Sequence, residues 1–426
     1  MLISMISRSK RTFFASLGIV MVIASPLCAA DPIKVPLTTT AVSGGRNSKN
    51  TYLSPLYLLD SEKRPGWFRL NDAKPTQTFT IGGLACTVEA GPPETGKLYL
   101  KTPTQNFIFN TNSSLNAEPM ELTLENGRKY PLRGSGSSYA QTDPKTGKES
   151  ISASVLLWPA SIQTGKIGNT PIAIYDSNVD GFYTSNEDGI VIGTPLKEYN
   201  FVQPLSKYIS TPDGIFEVRN LAKDGSELTV IPYSGPTASL EVITPRKYAG
   251  RILLASFDAG LNVTTNGKSD ESVTVIPGDY TVLTALLDTK PLSLSMWVTG
   301  VGMPKLKVEA GTKQVLTLSG PKVLEFQASL VDGKVNIQPK TIHTKGQAGE
   351  TYLADYDPKT LPKVYLNVDG KSTLLGETML DRAAGEYFGD VPADINLKAA
   401  KEVTVTLKMH LLVFGELAAT VPLKMP

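Results

Sequence analysis

Residues that usually carry chemistry are scarce in this chain of 426 residues, which has two histidines and two cysteines. His343 and His410 lie in IHTK and KMHLLV, strand-like surroundings that read as structural or surface positions. With no HExxH, no third histidine and no Cys/His cluster, a zinc site lacks a ligand set. No GxSxG elbow, phosphate loop or dinucleotide fingerprint occurs, which removes the sequence support for a serine hydrolase or a nucleotide enzyme. A catalytic triad assembles in space, and a glycosidase needs only two carboxylates at the right separation. Hydrolysis of a polysaccharide or peptide therefore stands as an alternative, with no residue to assign to it. Trp67, Trp158 and Trp297 read as core residues, with stacking on sugar rings as their other use.

Long apolar runs are also lacking, apart from one at the start. Phe13 to Ala24 is uncharged and apolar, follows Arg8, Lys10 and Arg11, and ends at Ser25-Pro26. Small residues Cys28-Ala29-Ala30 come next, which completes the layout of a secretory signal peptide. The run is about half of the roughly twenty residues a spanning helix needs, so the mature chain is expected to carry no transmembrane anchor. A lipoprotein reading through Cys28 would want a small residue where Leu27 stands. Residues 1–30 are read as a cleaved leader, and the product as periplasmic or extracellular.

An excess of positive charge is missing too. Removing the three basic leader residues takes the 42 Lys+Arg to 39, against 40 Asp+Glu. Nothing is then left over to neutralise phosphates, so nucleic acid is not an expected partner. One cysteine remains, Cys86, and no intrachain disulfide is possible. It sits in the apolar run IGGLACTV and reads as a buried thiol.

What the chain has in quantity is strand and turn signal. Runs such as KLYLK (97–101), ELTVI (227–231), SLEVI (239–243), SVTVI (272–276) and EVTVTL (402–407) alternate polar and apolar residues. Asp-Gly pairs at Asp180, Asp188, Asp213, Asp224, Asp332 and Asp369, with Asn-Gly at Asn126 and Asn266, are each expected to reverse the chain. Helical periodicity is rare; its best candidate, Leu196–Ile209, is interrupted by Pro204. The pattern predicts an all-β protein of two or three consecutive β-sandwich or barrel-like modules. The expected segments are 31–233, 234–332 and 333–426, the last about the length of one immunoglobulin-like sandwich. Within the second, Ser272–Val282 (SVTVIPGDYTV) resembles the strand, Pro-Gly turn, tyrosine and strand of carboxypeptidase-regulatory-like β-sandwich modules.

One segment has the spacing of an ion site. Residues 176–187 read DSNVDGFYTSNE and fit D-x-[DN]-x-[DN]-G-x₅-E at every specified position. Calcium takes six to eight oxygens, and oxygens at alternate positions of a tight loop can converge on one point. The segment is similar to the calcium loop of EF-hand proteins and to DxNxDG turns of other exported bacterial β-proteins. The resemblance implies side-chain oxygens from Asp176, Asn178 and Asp180, a sharp turn at Gly181 and the carbonyl of Phe182. It further implies Thr184, directly or through water, and both carboxylate oxygens of Glu187. The flanks GNTPIAIY and DGIVIGTP read as strands, not helices, and Tyr183 stands where the family carries an aliphatic residue. The expectation is a strand–loop–strand calcium turn that staples the fold. A solvated hairpin loop is the competing reading; it accounts for Asp176 to Gly181 but not for Glu187.

Together these features lead to an exported, non-enzymatic β-module protein with a structural calcium ion and a protein or polysaccharide partner outside the cytoplasm. Expression of the whole chain in a bacterial host, with N-terminal sequencing of the exported product, is expected to find Asp31 first; an intact Met1 would remove the leader reading.

Overall fold

The computed structural model describes residues 31–41, 67–71, 74–91, 97–110, 119–142, 149–184, 187–193, 202–244, 248–265, 272–289, 294–300, 303–353, 361–377, 387–411 and 414–424. The leader expected at 1–30 and the turn at Asn266 lie outside them. The described chain is nearly all β, in several separate sheets. No α-helix occurs among the described residues, and none of their elements is long and apolar enough to cross a membrane as a helix.

Local chemistry explains much of this. Strand Lys97–Lys101 buries Leu98 and Leu100 while its neighbours face outward, as period-two alternation requires. At Asp332-Gly333 and Asp369-Gly370 both turn residues have positive φ, and the flanking strands pair directly across them (Val331↔Lys334, Val368↔Lys371). These are two-residue hairpins whose handedness matches the strand twist. The helical candidate already broken by Pro204, and one expected turn, come out as strand. Val202 onward does not continue a helix: Gln203–Pro204 and Tyr208–Thr211 are strands, since Pro204 cannot donate within a helix and Ile209 is needed in a sheet core. Asp188-Gly189 is not a turn either; Gly189 opens strand Gly189–Ile192 and Asp188 is fully buried.

Strand Thr38–Ala41 pairs with Ser161–Ile167, Ala41 opposite Ser161. The chain therefore leaves this sheet at residue 41 and rejoins it at 161. Between those points the described strands form two four-stranded sheets. One runs in the order Trp67–Asn71, Glu149–Pro159, Lys129–Thr142, Met120–Thr123; the other is Thr76–Ile81, Leu84–Ala90, Lys97–Lys101, Asn106–Asn110. Both contribute to one core that includes Leu70, Ile81, Val88, Leu98, Leu100, Leu122, Leu132 and Val155. This is a β-sandwich inserted into another. The host sandwich packs the sheet of Ser161–Ile167, Thr170–Tyr175 and Gly189–Ile192 against strands of a twelve-stranded sheet. Val35, Ile172, Ile174, Ile190, Phe216, Leu228 and Val230 fill the space between. The first expected segment, 31–233, thus contains two cores.

Further along, a third core gathers residues between Ile215 and Tyr352, and a fourth those between Leu324 and Leu423. The twelve-stranded sheet runs continuously across positions 233 and 332. Tyr208–Thr211 pairs in parallel with Leu261–Thr265, and Leu294–Thr299 pairs with Thr351–Leu353. Ser272–Val275 and Gly278–Thr289 belong to different sheets, so the Pro277-Gly278 turn carries the chain across the sandwich rather than closing a hairpin. Tyr280 fixes that corner, its hydroxyl donating to the Ile276 carbonyl at 2.7 Å.

The fourth core depends on the sheet of Lys363–Val368 and Val403–Leu411 facing Lys334–Ile337. Leu366 is fully buried there. Leu366→Ala is expected to cost about 2–5 kcal/mol through lost burial and a residual cavity. Hydrogen exchange of strand Val403–Leu411 would accelerate accordingly; unchanged exchange would place Leu366 outside the cooperative core.

Candidate calcium loop

Loop 176–188 joins Thr170–Tyr175 to Gly189–Ile192, which are neighbouring antiparallel strands (Tyr175↔Gly189). The strand–loop–strand frame is therefore present. At its start the Asp176 carboxylate points inward. Oδ2 accepts from the Tyr130 hydroxyl at 2.6 Å and the Gly181 amide at 2.8 Å, and Oδ1 accepts from the Asp180 amide at 3.2 Å. A carboxylate has about four lone-pair directions, so one oxygen retains acceptor capacity. Asp180 Oδ1 accepts from the Phe182 amide at 2.7 Å.

Outside this inner set, the remaining predicted residues draw together. The Asn178 amide nitrogen donates to Asp180 Oδ2 at 3.0 Å and to Glu187 Oε2 at 3.4 Å. Thr184 Oγ1 donates to the same Glu187 oxygen at 3.2 Å. A partly positive NH₂ group thus stands between two carboxylates, where a positive charge is favoured. Asn178, Asp180, Thr184 and Glu187 form one cluster, with Asp176 behind it and Phe182 contributing through its backbone. The three carboxylates of the predicted set do not close on a single point: among the described residues, no group of three His, Cys, Asp or Glu side chains stands close enough to hold a metal ion.

Sequence reading assigned Asp188 only to a turn. Its carboxylate is fully buried and clasps the loop, Oδ1 accepting from the Ser177 amide at 2.9 Å and Oδ2 from the Thr184 amide at 2.6 Å. Two adjacent acids, Glu187 and Asp188, point to opposite sides of the loop, one exposed and one enclosed. Nothing local marks this division. Burial, with the neighbouring Asp176 charge, pushes Asp188 up to about 8; burial likewise raises Asp176 to about 7. Among the described residues, Asp176, Asp180, Glu187 and Asp188 make no ion pair with Lys or Arg.

Two apolar side chains anchor the loop in opposite directions. Val179 is buried in the core of the inserted sandwich, and Tyr183 in the core of the host. Val179 has φ +60°, a costly conformation for a β-branched residue, on the order of 1–3 kcal/mol. Burying its side chain is worth roughly 1.5–3 kcal/mol, enough to offset that strain. Gly181 has φ +81°, and a Cβ there would lie 2.8 Å from the Gly82 amide nitrogen. The glycine predicted for a sharp turn also permits close approach to the Gly82-Gly83 hairpin, whose Gly82 amide donates to the Asp180 carbonyl. Arg128 donates to the carbonyls of Gly181 and Asp224, and Tyr183 N–H donates to Lys223 O at 2.9 Å. Tyr130, Arg128, Val179 and Asp188 lie beyond what the motif indicates.

The other reactive-looking side chains are quiet. Cys86 is buried, its thiol pushed up to about 11 by desolvation and its Sγ donating to Leu84 O at 3.5 Å. His343 and His410 belong to different sheets. Trp158 is half-buried in Glu149–Pro159.

No protein-family model matches the chain, and no curated protein matches it. Solved structures similar to it include the Bacillus anthracis TIE protein, at 13% identity over 84% of this chain and 57% of that one, with a TM-score of 0.12. The chain spans 57% of that protein's length, and a score so low carries no argument about fold or function.

The raised carboxylates set a pH dependence. The folded form keeps protons on Asp176 and Asp188 to about pH 7 and 8, whereas the unfolded chain releases them near pH 4. The stability this contributes is full below about pH 4 and is lost as pH rises through 7–8. In chelator, the melting temperature is expected to fall between pH 5 and 8.5, with a shallower slope in Asp188→Asn. A melting temperature that climbs over that range would contradict the assignment.

Proposed function

We propose that the protein is an exported, non-enzymatic array of β-modules whose 176–187 loop holds a structural calcium ion, and whose sheets meet a protein or polysaccharide partner in the periplasm or outside the cell. The observation that carries the calcium reading is the concentration of acid in the loop. Asp176, Asp180, Glu187 and Asp188 share one short segment with no Lys or Arg ion pair among the described residues, and Asn178 bridges two of them. Carboxyl groups gathered this closely repel one another once ionised, and a divalent cation would offset that repulsion. Asp176, Asn178, Asp180, Thr184 and Glu187, with the Phe182 carbonyl, would hold it, and Asp188 would keep the loop in shape from behind. These are hard oxygen donors, the set calcium favours.

Enzymatic use of the same acids is less well supported. Groups with raised pKa in a cleft are acid–base candidates. Asp176 and Asp188, however, are both 0% exposed, with their oxygens engaged by backbone amides and Tyr130. Neither carboxyl group has an exposed face in the described structure to meet a substrate. The partner reading rests on the modular β architecture, whose sheet edges suit strand-addition contacts.

Calcium that binds only the folded chain stabilises it by about 2.7 kcal/mol at one hundred times its dissociation constant. For modules of this size the melting temperature should rise by roughly 5–10 °C in several millimolar calcium after chelator treatment. Asp180→Asn and Glu187→Gln are each expected to abolish the rise. An unchanged melting temperature in the unmodified chain would return 176–187 to an ordinary turn.

A further inference from the structure

We infer that loop 176–184 is the latch that fixes the inserted sandwich on its host, so that the orientation of residues 67–157 depends on the state of this loop. Calcium control of the latch rests on the reading above; the latch itself rests on the packing. Among the described residues, Val179 is the one from outside 67–157 among the buried members of the insert core, and Tyr183, four positions on, is a buried member of the host core. A single short segment therefore plugs both.

Hydrogen bonds between insert and host converge on the same segment. Tyr130 donates to Asp176, Gly82 N–H to the Asp180 carbonyl, and Arg128 to the Gly181 carbonyl, all from the insert side. Arg128 extends to Asp224 of the host hairpin that also receives Tyr183, where Gly225 lies against the Tyr183 ring. Beyond the loop and Arg128, the Ala160 amide donates to Pro131 O where the chain crosses back. Among the described residues, the insert is thus attached at its two chain ends and docked mainly through this loop and the Arg128 bond to Asp224. A loop that unfolds frees the Val179 plug and the three bonds together, because all are carried on six consecutive residues. A loop held by an ion keeps them in register. The ion would thereby set how rigidly the inserted sandwich is presented, a conformational role distinct from adding stability.

The test uses the full exported chain with nitroxide labels at Ile108→Cys in the insert and Lys166→Cys in the host, both exposed, with buried Cys86 left in place. Spin–spin distance distributions are recorded with calcium, with chelator, and in Arg128→Ala/Val179→Ala. Leu98→Ala, in the same insert core but away from the latch, serves as the control for simple destabilisation. The distribution should be narrow with calcium, at least twofold broader in the double variant and in chelator, and narrow in Leu98→Ala. Equal widths in the double variant and the unmodified chain would overturn the latch. Calorimetry on the same samples separates the two claims. Broadening in the double variant without measurable calcium binding keeps the latch and removes the calcium reading; calcium binding with equal widths throughout does the reverse.

Discussion

The carboxyl group of Asp176 ties together two parts of this structure that lie far apart in sequence. It is fully enclosed, and its three hydrogen-bond donors come from its own loop and from a strand 46 residues earlier. A buried carboxyl group is tolerated only when its polar atoms are satisfied, so the position of Tyr130 and the path of the 176–181 backbone are fixed together. Val179 can then be driven into the insert core despite its unfavourable φ. Asp188 performs the matching task at the far end of the loop, holding Ser177 and Thr184. A loop that local propensity would leave as a solvated turn becomes a structural element with a defined inner and outer face.

This division of faces lets one segment combine packing with a polar cluster. Asp176 and Asp188 turn inward and accept backbone amides, while Asn178, Asp180, Thr184 and Glu187 gather on the other side. The inner acids give up solvation, which raises their pKa values; Glu187 stays exposed. Burial thus acts on Asp176 and Asp188, while the more exposed polar groups of the same loop gather beside them.

The parts of the fold legible in the sequence are those governed by neighbours along the chain. Asp332-Gly333 and Asp369-Gly370 reverse the chain because their left-handed backbone is a local preference. KLYLK is a strand because alternation is local. Asp188-Gly189 carries the same dipeptide and does something else, since the demand of Ser177 and Thr184 for an acceptor prevails over turn propensity. Tyr130 and Arg128 are separated from the loop by about fifty residues and carry no motif. The insertion was equally hidden: Thr38–Ala41 is a short polar run, and nothing in TTTA announces that its partner is Ser161. Within the candidate site, spacing identified the segment and four residues that do cluster. It did not distinguish which acids face the core.

The insertion also bears on how the chain reaches its folded state. Pairing Thr39 with Gln163 joins residues 124 apart in sequence. Closing a flexible loop of that length costs about 4 kcal/mol in chain entropy before any contact is made. The insert, however, brings its own first and last described strands together, Trp67 opposite Leu156. Once it has folded, the free chain between the host's two halves is reduced to the segments on either side of it, instead of the whole intervening stretch. The host sheet is therefore favoured to close after the sandwich within it, and synthesis from the N-terminus delivers the segments in a compatible order. A lesion in the insert core would then be felt first as slow closure of the host, in strands that it never touches.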